Sequence, residues 1–329
     1  TAPDGTPVAT QLEKESCNIQ MDQRKRLVFR TRLAAACMTR FSCRIRTVPR
    51  PPAIAVRPIA GLFHHAGSGC VVEIDAATGL LHRYRVGHHD YIEAGSFRPL
   101  VMTDSPDPWG MKVRAFRDLA GEFRLMDEHA AALCAGVATS TLAPVRIIED
   151  GPVRTIVEAL FAYRRSALCL RYVLPKEGAE LMVQARVSWC EKDAMLKFAL
   201  PTTIGSMRVR SQAPYGVEAH TREAEELLWH SWLACVSPDG SSALTVVNDG
   251  VYGFDFSGAE LRLSCLRSPA YAGHPVDDVT PVVRQDRVEP RVDQGEHVFR
   301  FWLQGGPAAE RLTTIDRDAA TKHDEPMAL

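Results

Sequence analysis

Apolar and polar residues alternate with a period of two along most of this chain, which is the pattern of β-strands with one buried face. Turn residues (Gly, Pro, Asn and Asp) separate these runs at intervals of about ten residues, a spacing typical of all-β sandwiches. A helical pattern occurs around Met126–Cys134. We therefore predict an all-β fold centred on a large two-sheet antiparallel β-sandwich. Strands are predicted at 71–75, 80–85, 144–149, 153–163, 167–174, 180–189, 194–200, 208–211, 229–236, 243–247 and 296–304.

Two breaks in the pattern divide the chain. Residues 1–48 hold too few strands to bury a core, so they are predicted to be an incomplete small β-domain segment that packs on another part of the protein. Residues 49–68 begin with Pro49-Arg50-Pro51-Pro52, a stiff extended sequence, and are predicted to be a linker. The large sandwich is assigned to residues 69–307. Residues 308–329 are charged and are expected to be a truncated C-terminal extension.

The stretch from Trp229 to Pro269 carries the most distinctive local pattern. Two predicted strands flank the turn Ser237-Pro238-Asp239-Gly240-Ser241, and a polar-aromatic loop, 248–255, follows the second strand. The next run, 261–265, alternates Leu and Cys on one side with Arg and Ser on the other, as a third strand. The loop combines Asn, Asp and Gly with the flat faces of Tyr252 and Phe254, so it is the best candidate for a functional surface.

The net charge and the number and placement of the cysteines indicate which binding partners and which cell compartment to expect. The formal net charge is −1, which gives no electrostatic reason to expect binding to nucleic acid or to an anionic membrane surface. No apolar run is long enough to span a bilayer. The 9 cysteines are odd in number and form no CxxC pair, and most lie in apolar strand-like runs. This usage predicts buried free thiols in a reducing compartment, and therefore a cytoplasmic location.

No catalytic motif identifies an active site. The chain contains no phosphate-binding loop, nucleophile elbow or zinc-protease motif, and we assign no catalytic or metal-binding residue. His64-His65 and His88-His89 are poor chelators because neighbouring residues on a strand point to opposite faces. Nothing in the spacing of the carboxylates selects an acid/base pair. The loop residue Trp109 is the tryptophan most expected to be exposed. The carboxylates considered are Asp75, Asp107, Glu158, Glu191, Asp249 and Asp255.

Fragments along the whole chain resemble the C-terminal β-region of glycoside hydrolase family 38, the α-mannosidases. The similarity runs in order through Asp4-Gly5-Thr6-Pro7-Val8, then the hairpin 71–80, then Glu149-Asp150-Gly151-Pro152-Val153-Arg154. It continues through Ser188-Trp189-Cys190-Glu191 and 196–201, is strongest at 248–256 and 263–271, and ends at 293–301. One departure is that Cys37-Met38 stands where the family usually has Gly-Tyr.

The resemblance implies a two-sheet sandwich of the kind shared with galactose mutarotases, preceded by a small β-domain. It implies that the zinc ion, its ligands and the nucleophile belong to a catalytic domain absent from this chain, which alone is therefore expected to be inactive and to need no cofactor. The implied partners are mannosides and the catalytic domain of the same polypeptide. The implied role is scaffolding and lining of the carbohydrate cleft. The candidate cleft residues are Asn248, Asp249, Tyr252, Arg267 and Trp109.

Two alternatives stay open at this point. One is a free-standing carbohydrate-binding or interaction module, which would bind sugar through exposed aromatic residues without cleaving a bond. The other is a mutarotase-like epimerase, because that class shares the sandwich. Epimerisation needs a general acid and a general base on opposite sides of one sugar ring. The sequence nominates no such pair.

Overall fold

A computed structural model of the chain describes residues 1–15, 24–44, 58–104, 113–270, 288, 290–324 and 326. Within them the protein consists almost entirely of antiparallel strands, with one short and one longer helix. The strands are β1 Thr10–Lys14, β2 Lys25–Phe29, β3 Leu62–Ala66, β4 Cys70–Asp75, β5 Leu81–Val86, β6 His89–Asp90, β7 Arg98–Thr103, β8 Leu119–Glu122, β9 Arg124–Leu125, β10 Val145–Asp150, β11 Arg154–Tyr163, β12 Ser166–Pro175, β13 Leu181–Trp189, β14 Ala194–Pro201, β15 Arg208–Ala213, β16 Gly216–His220, β17 Leu227–Leu228, β18 Trp232–Val236, β19 Ser242–Asn248, β20 Gly253–Ser257, β21 Glu260–Arg267 and β22 Gly295–Pro307. The helices are α1 Glu128–Ala135 and α2 Ala308–His323.

The large sandwich is confirmed. Its larger sheet has the order β10-β11-β12-β13-β22-β19-β18-β15-β16, with β9 added beside β11. Facing it are a six-stranded sheet, β17-β20-β21-β14-β7-β8, and a four-stranded sheet, β3-β4-β5-β6. One continuous apolar core fills the space between these layers, with Trp189, Tyr84 and Phe198 among its largest fully buried side chains. The strict alternation along β12 and β13 is what places every second side chain in this core.

The turn between β4 and β5 contacts the larger sheet of the sandwich. Gly79 ends the predicted β4–β5 hairpin turn with φ +71°, a conformation that favours glycine. A Cβ at this position would also come within 2.9 Å of the Phe161 ring. The buried hydroxyl of Tyr172 donates a hydrogen bond of 2.9 Å to the Gly79 carbonyl oxygen. The turn is therefore tied directly to the opposite sheet.

The small sheet formed by β1 and β2 packs through polar side chains. Gln11 Oε1 accepts hydrogen bonds from the backbone N–H groups of Val153 and Arg154, at 3.2 and 3.0 Å. Glu13 accepts two further bonds, of 2.7 and 2.6 Å, from the guanidinium of Arg154. The N-terminal segment therefore contacts the turn that leads into β11, while Leu12 on its other face is exposed.

Both helices lie on the outer face of the large sheet, at different places. Helix α1, predicted from its pattern, packs on β11 and β12 and begins at the N-cap Asp127, whose side chain accepts from Ala130 N. Helix α2 was not predicted, because its charged sequence was interpreted as a truncated C-terminal extension. It packs on β18, β19 and β22, and Ile315 is its fully buried anchor. No helix among the described residues combines the length and the apolar character needed to cross a bilayer.

Other local predictions were wrong or lie outside the described residues. The predicted loop 248–255 is shorter, since residues 253–257 form β20 and Phe254 is fully buried rather than an exposed flat face. Residues 40–44 have no regular structure, and β3 lies inside the predicted linker. The described cysteines are all free, but only Cys70 and Cys235 are fully buried. The exposed thiols are Cys37, Cys43, Cys134 and Cys190.

Candidate functional site

A cavity of about 650 Å³ opens where the loop between β19 and β20 meets the C-terminal end of α2. The loop forms one wall of the cavity and the end of α2 forms a second. Strand β22 forms a third wall, and the segment before β18 completes the rim. These elements are far apart in sequence, so only the folded chain assembles them. The cavity is lined by His230, Ser231, Asn248, Asp249, Gly250, Tyr252, Arg300, Lys322 and His323.

The side chain of Asn248 holds the loop in shape through three hydrogen bonds to backbone groups. Its side-chain amide donates to the His230 carbonyl oxygen at 2.8 Å, and its Oδ1 accepts from the backbone N–H groups of Gly250 and Val251, both at 2.7 Å. Gly250 has φ +124°, which a residue with a Cβ rarely adopts. With only 1% of its surface exposed, Asn248 has its hydrogen-bonding groups committed to the loop itself. The loop therefore has a defined shape before any ligand arrives.

Tyr252 and His230 form an aromatic surface at the cavity. Their ring centroids lie 6.1 Å apart and their planes differ by 24°, so the two rings are stacked. Tyr252 keeps 57% of its surface exposed, and Ser231 Oγ hydrogen bonds to His230 Nδ1 at 2.9 Å, which helps to orient the His230 ring. A flat, partly exposed ring next to polar groups suits the apolar face of a sugar.

The charged groups of the cavity are paired across its walls. Asp249 Oδ1 accepts from the backbone N–H of Arg300 at 2.9 Å, and Arg300 Nε lies 3.4 Å from Asp249 Oδ2. Burial raises the pKa of Asp249 above its usual range, and the hydrogen bond and charge of Arg300 oppose that rise. Lys322 pairs with Glu180 at 2.5 Å and lies over the Trp302 ring. Each cation therefore has a carboxylate partner, and the cavity carries little net charge.

The structure brings together three of the five residues predicted for the cleft. Asn248, Asp249 and Tyr252 all line the cavity. Arg267 does not, because it lies in a separate groove of about 520 Å³ on the outer face of the six-stranded sheet. There its Nε and Nη2 donate to Asp104 Oδ1 at 2.9 and 2.8 Å. Trp109 lies outside the described residues.

The carboxylates considered from the sequence are mostly engaged in internal structure. Glu158 pairs with Arg146 and Arg171, and Glu191 accepts from Ser166. Asp255 pairs with Lys197 in the same way. Asp75 closes its turn by accepting from Ala77 N and Thr78 Oγ1, and Asp107 lies outside the described residues. None of these described carboxylates offers an acid/base pair facing an open cavity.

Histidine contacts follow strand geometry. On β3, His64 pairs with Glu73 at the surface, whereas buried His65 hydrogen bonds to the Pro175 carbonyl oxygen at 2.8 Å. The two rings point to opposite faces, as predicted. Across the described residues, no group of three or more His, Cys, Asp or Glu side chains could hold a metal ion.

Five cavity residues were not predicted from the sequence: His230, Ser231, Arg300, Lys322 and His323. His230 stands between Trp229 and Trp232 in a run predicted as a strand, 229–236. Arg300 lies in the middle of the long strand β22, and the two C-terminal residues end an unpredicted helix. No local signal marks them, because their proximity arises from strand order and from the docking of α2.

Comparison with known proteins gives a family for most of the sandwich. Residues 70–280 match the family described as glycosyl hydrolases family 38 C-terminal domain. This match covers more than half of the 329-residue chain and includes the cavity loop. The chain matches no curated protein by sequence.

Solved structures share the fold at low sequence identity. An α-mannosidase from Enterococcus faecalis V583 is 11% identical with a TM-score of 0.58, over 83% of this chain and 32% of its own. A glycosyl hydrolase family 38 protein from Enterococcus faecalis is 11% identical with a TM-score of 0.59, and the match covers 83% of this chain and 33% of that protein. A putative aldose 1-epimerase from Escherichia coli K12 is 9% identical with a TM-score of 0.40, and the match covers 75% of this chain and 99% of that protein.

The chain spans about a third of the length of the two Enterococcus faecalis structures. The part it matches is the β-sandwich, in agreement with the resemblance noted in the sequence. The chain belongs to glycosyl hydrolase family 38, as a C-terminal domain of that family.

Proposed function

We propose that this chain is the non-catalytic β-region of an α-mannosidase and that it scaffolds and lines the carbohydrate cleft. The observation that carries the proposal is the cavity in which the stacked Tyr252 and His230 rings adjoin the paired Asp249 and Arg300. The family membership and the similarity to the α-mannosidase from Enterococcus faecalis V583 support the choice of mannosides as the ligand class.

The cavity recognises a sugar through two complementary surfaces. Tyr252 stacks on the apolar face of the ring, and the Asp249 carboxylate and Arg300 guanidinium hydrogen bond to hydroxyl groups. The planar fork of Arg300 suits two neighbouring hydroxyls. Asn248 contributes indirectly by holding the loop in shape.

Bond cleavage is assigned to another part of the same polypeptide. Retaining glycosidases need two carboxyl groups about 5 Å apart, one of them as the nucleophile. The described residues also provide no set of ligands that fits the zinc ion expected for this family. We therefore derive no catalytic step on this chain, and we propose that the zinc-dependent catalytic domain supplies both the metal and the nucleophile.

Mannose binding by the isolated chain tests the cleft role. We expect saturable binding of mannose in calorimetry, and Tyr252→Ala should weaken it by about three- to ten-fold through loss of ring stacking. Tyr215→Ala is the matched control, because Tyr215 is an exposed tyrosine on the β15–β16 turn and does not line the cavity. Equal affinities for both variants would contradict the assignment of the cavity, and no binding of mannose would leave only a scaffold role.

An activity assay tests the location of the chemistry. The chain alone, with or without added zinc, is expected to leave an aryl α-mannoside intact. Turnover by the purified chain would show that it contains the catalytic groups itself, and the proposed division of labour would be wrong.

A free-standing carbohydrate-binding module is the second candidate. It is favoured by the fact that one chain supplies all the lining residues of the cavity. The length of the native reading frame separates the two. Several hundred upstream residues with a zinc-binding motif support the mannosidase region, whereas a short frame supports the free module.

We also propose a cytoplasmic location. The described cysteines are all free thiols, including the buried Cys70 and Cys235, which suits a reducing compartment. Extracts fractionated by compartment and probed with an antibody to the chain would test this, and recovery from an oxidising compartment would contradict it.

A further inference from the structure

Gln212 on β15 links the cavity residue His230 to helix α2. The side-chain Nε2 of Gln212 donates to Asp316 Oδ1 at 3.2 Å, and its Oε1 accepts from the backbone N–H of Ser231 at 3.1 Å. The backbone carbonyl oxygen of Gln212 accepts from the His230 N–H at 2.9 Å. Asp316 is itself held in place, because the indole N–H of buried Trp232 donates to the same Oδ1 at 2.7 Å.

The partners of Gln212 allow only one orientation of its side-chain amide. The Asp316 carboxylate can only accept, so the group that faces it is the Nε2 amino group. The backbone N–H of Ser231 can only donate, so the group that faces it is the carbonyl oxygen Oε1. If the amide were turned round, both hydrogen bonds would be lost, because like groups would face each other at each end. Oε1 is therefore fixed as a hydrogen-bond acceptor beside the His230 ring.

The orientation of Gln212 decides which nitrogen of the neutral His230 ring carries the proton. His230 Nδ1 lies 3.2 Å from Gln212 Oε1 and 2.9 Å from Ser231 Oγ. A proton on Nδ1 is donated to Oε1, whereas a bare Nδ1 would direct its lone pair at that oxygen. The Ser231 hydroxyl can donate or accept, so it is compatible with both forms of the ring. Gln212 therefore favours the form with the proton on Nδ1 and a lone pair on Nε2.

The Nε2 atom of His230 is available to a ligand. His230 is exposed and lines the cavity, and its Nε2 makes no hydrogen bond to any residue in the described part of the chain. Stacking on Tyr252 restricts the plane of the ring. Arg300 and Lys322, which also line the cavity, have side chains that can only donate. A ligand hydroxyl both donates and accepts, so it can use a lone pair on Nε2 as well as these donors.

We propose that Gln212 is a positioning residue that keeps the proton of neutral His230 on Nδ1, so that Nε2 accepts a hydrogen bond from a hydroxyl group of the ligand in the cavity. The choice of mannose as that ligand rests on the proposed function. The inference adds the direction of one hydrogen bond, in which the ligand donates and the protein accepts. A neutral histidine side chain in water favours the proton on Nε2, so Gln212 reverses the ordinary preference of the ring.

NMR of the ring nitrogens locates the proton on the full chain with labelled histidine. A protonated and a bare ring nitrogen differ widely in chemical shift, and a His230→Gln spectrum identifies the His230 signals among those of the 11 histidines. At a pH of about 8.5, well above the ordinary histidine pKa of about 6.5, a histidine ring is neutral. We expect the proton on Nδ1 in the unsubstituted chain and in Ser231→Ala. In Gln212→Met, which lacks the acceptor at similar side-chain length, we expect a shift towards Nε2.

Three NMR results would overturn the role of Gln212. The first is a proton on Nε2 of His230 in the unsubstituted chain, a measurement that needs no variant to fold. The second is an unchanged position of the proton in Gln212→Met. The third is loss of the proton from Nδ1 in Ser231→Ala, which would assign the role to the Ser231 hydroxyl. Circular dichroism spectra matching the unsubstituted chain show that the variants are folded.

Calorimetry with mannose and its monofluorinated analogues tests the contact with the ligand. Fluorine cannot donate a hydrogen bond, so the analogue fluorinated at the hydroxyl that faces Nε2 should bind about three- to ten-fold more weakly than mannose. In Gln212→Met this penalty should largely disappear, because Nε2 then carries the proton and donates. Penalties that arise from hydroxyl groups at Asp249 should stay the same in both chains and serve as the control.

The outcomes distinguish this inference from the proposed function. Mannose binding with the same penalties in both chains would overturn the acceptor role of Nε2 and leave the cavity assignment intact. Absence of mannose binding would overturn the proposed function and, with it, the ligand contact of His230. The NMR spectra decide the effect of Gln212 on His230 in either case, since they are recorded without a ligand.

Discussion

His323, the last residue of helix α2, donates a hydrogen bond of 2.6 Å from Nε2 to the backbone carbonyl oxygen of Asn248. The two residues are 75 positions apart in the chain. The contact joins the end of the helix to the last residue of β19, after which the cavity loop begins. The loop is thus held by the Asn248 side chain on one side and by α2 on the other.

We expect His323→Ala to weaken mannose binding by a few-fold, because the loop loses a hydrogen bond worth about 1 kcal/mol and its position becomes less fixed. His323→Gln should recover most of the affinity, since the glutamine amide can also donate to the carbonyl oxygen. Calorimetry on both variants measures this. Equal losses in the two variants would contradict a positioning role for the donor, and unchanged binding in His323→Ala would contradict any role for the contact.

Lys197 is expected to be a major determinant of stability. It is fully buried on the outer face of the six-stranded sheet, and Nζ lies 2.5 Å from both Glu226 Oε2 and Asp255 Oδ2. Lys197→Met should lower the free energy of unfolding by about 3 kcal/mol, because two carboxylates lose a shared partner in a buried site. Arg117 still pairs with Asp255 in this variant. The expected loss therefore lies near the lower end of the range of about 3–5 kcal/mol that is typical when one partner of a buried ion pair is removed.

Urea titration followed by fluorescence measures that change as a shift of the midpoint at constant slope. Lys192→Met is the matched control, since Lys192 is exposed in the turn before β14. A difference of less than 1 kcal/mol between the two variants would show that the buried carboxylates do not depend on Lys197.

We expect His220 to lower the free energy of unfolding of the protein in mild acid. Its ring hydrogen bonds through Nε2 to buried Ser211 at 2.7 Å and packs edge-on against Phe254. Burial lowers the pKa of His220 below its ordinary value, and the charge of Glu218 opposes this only in part. The folded state therefore disfavours the protonated ring. The stabilising contribution is present above the unfolded pKa of about 6.5 and is lost as the pH falls through that value towards the folded pKa.

Urea unfolding at several pH values between 7.5 and about 5 tests this, since the unfolded pKa is about 6.5. The unsubstituted chain should lose stability towards the acidic end, and His220→Gln should show a shallower dependence. His88→Gln, on an exposed turn, should keep the original slope. Identical slopes for all three proteins would mean that His220 titrates alike in the folded and unfolded states.

Thiol reactivity should divide the cysteines by burial. Burial raises the pKa of Cys70 to about 11 and that of Cys235 to about 12, and both are enclosed in the core or its sheets. Cys190 is exposed. Brief alkylation at pH 8, followed by peptide mass mapping, should modify Cys190 and spare both buried thiols until denaturant is added. Early modification of Cys235 would show that the central strands open under native conditions.

The fold was largely predictable because strand periodicity is a local property. The strands β11 to β14 were predicted to within two residues, since their alternation directly reflects one face in the core and one outside it. The loop after β19 was also identified locally, through its combination of Asn248 and Gly250. Helix α2 escaped prediction because its apolar stripe is narrow and its burial depends on Trp302 and Trp232, which belong to distant strands.

The sequence by itself determined the class of fold, the family resemblance and the position of the cavity loop, because each depends on residue order over short distances. The tertiary structure decided which side chains share the site. It separated Arg267 into another groove with Asp104, and it brought Arg300 and His323 to the loop. Strand order and helix docking control these distances, and neither leaves a local pattern in the sequence.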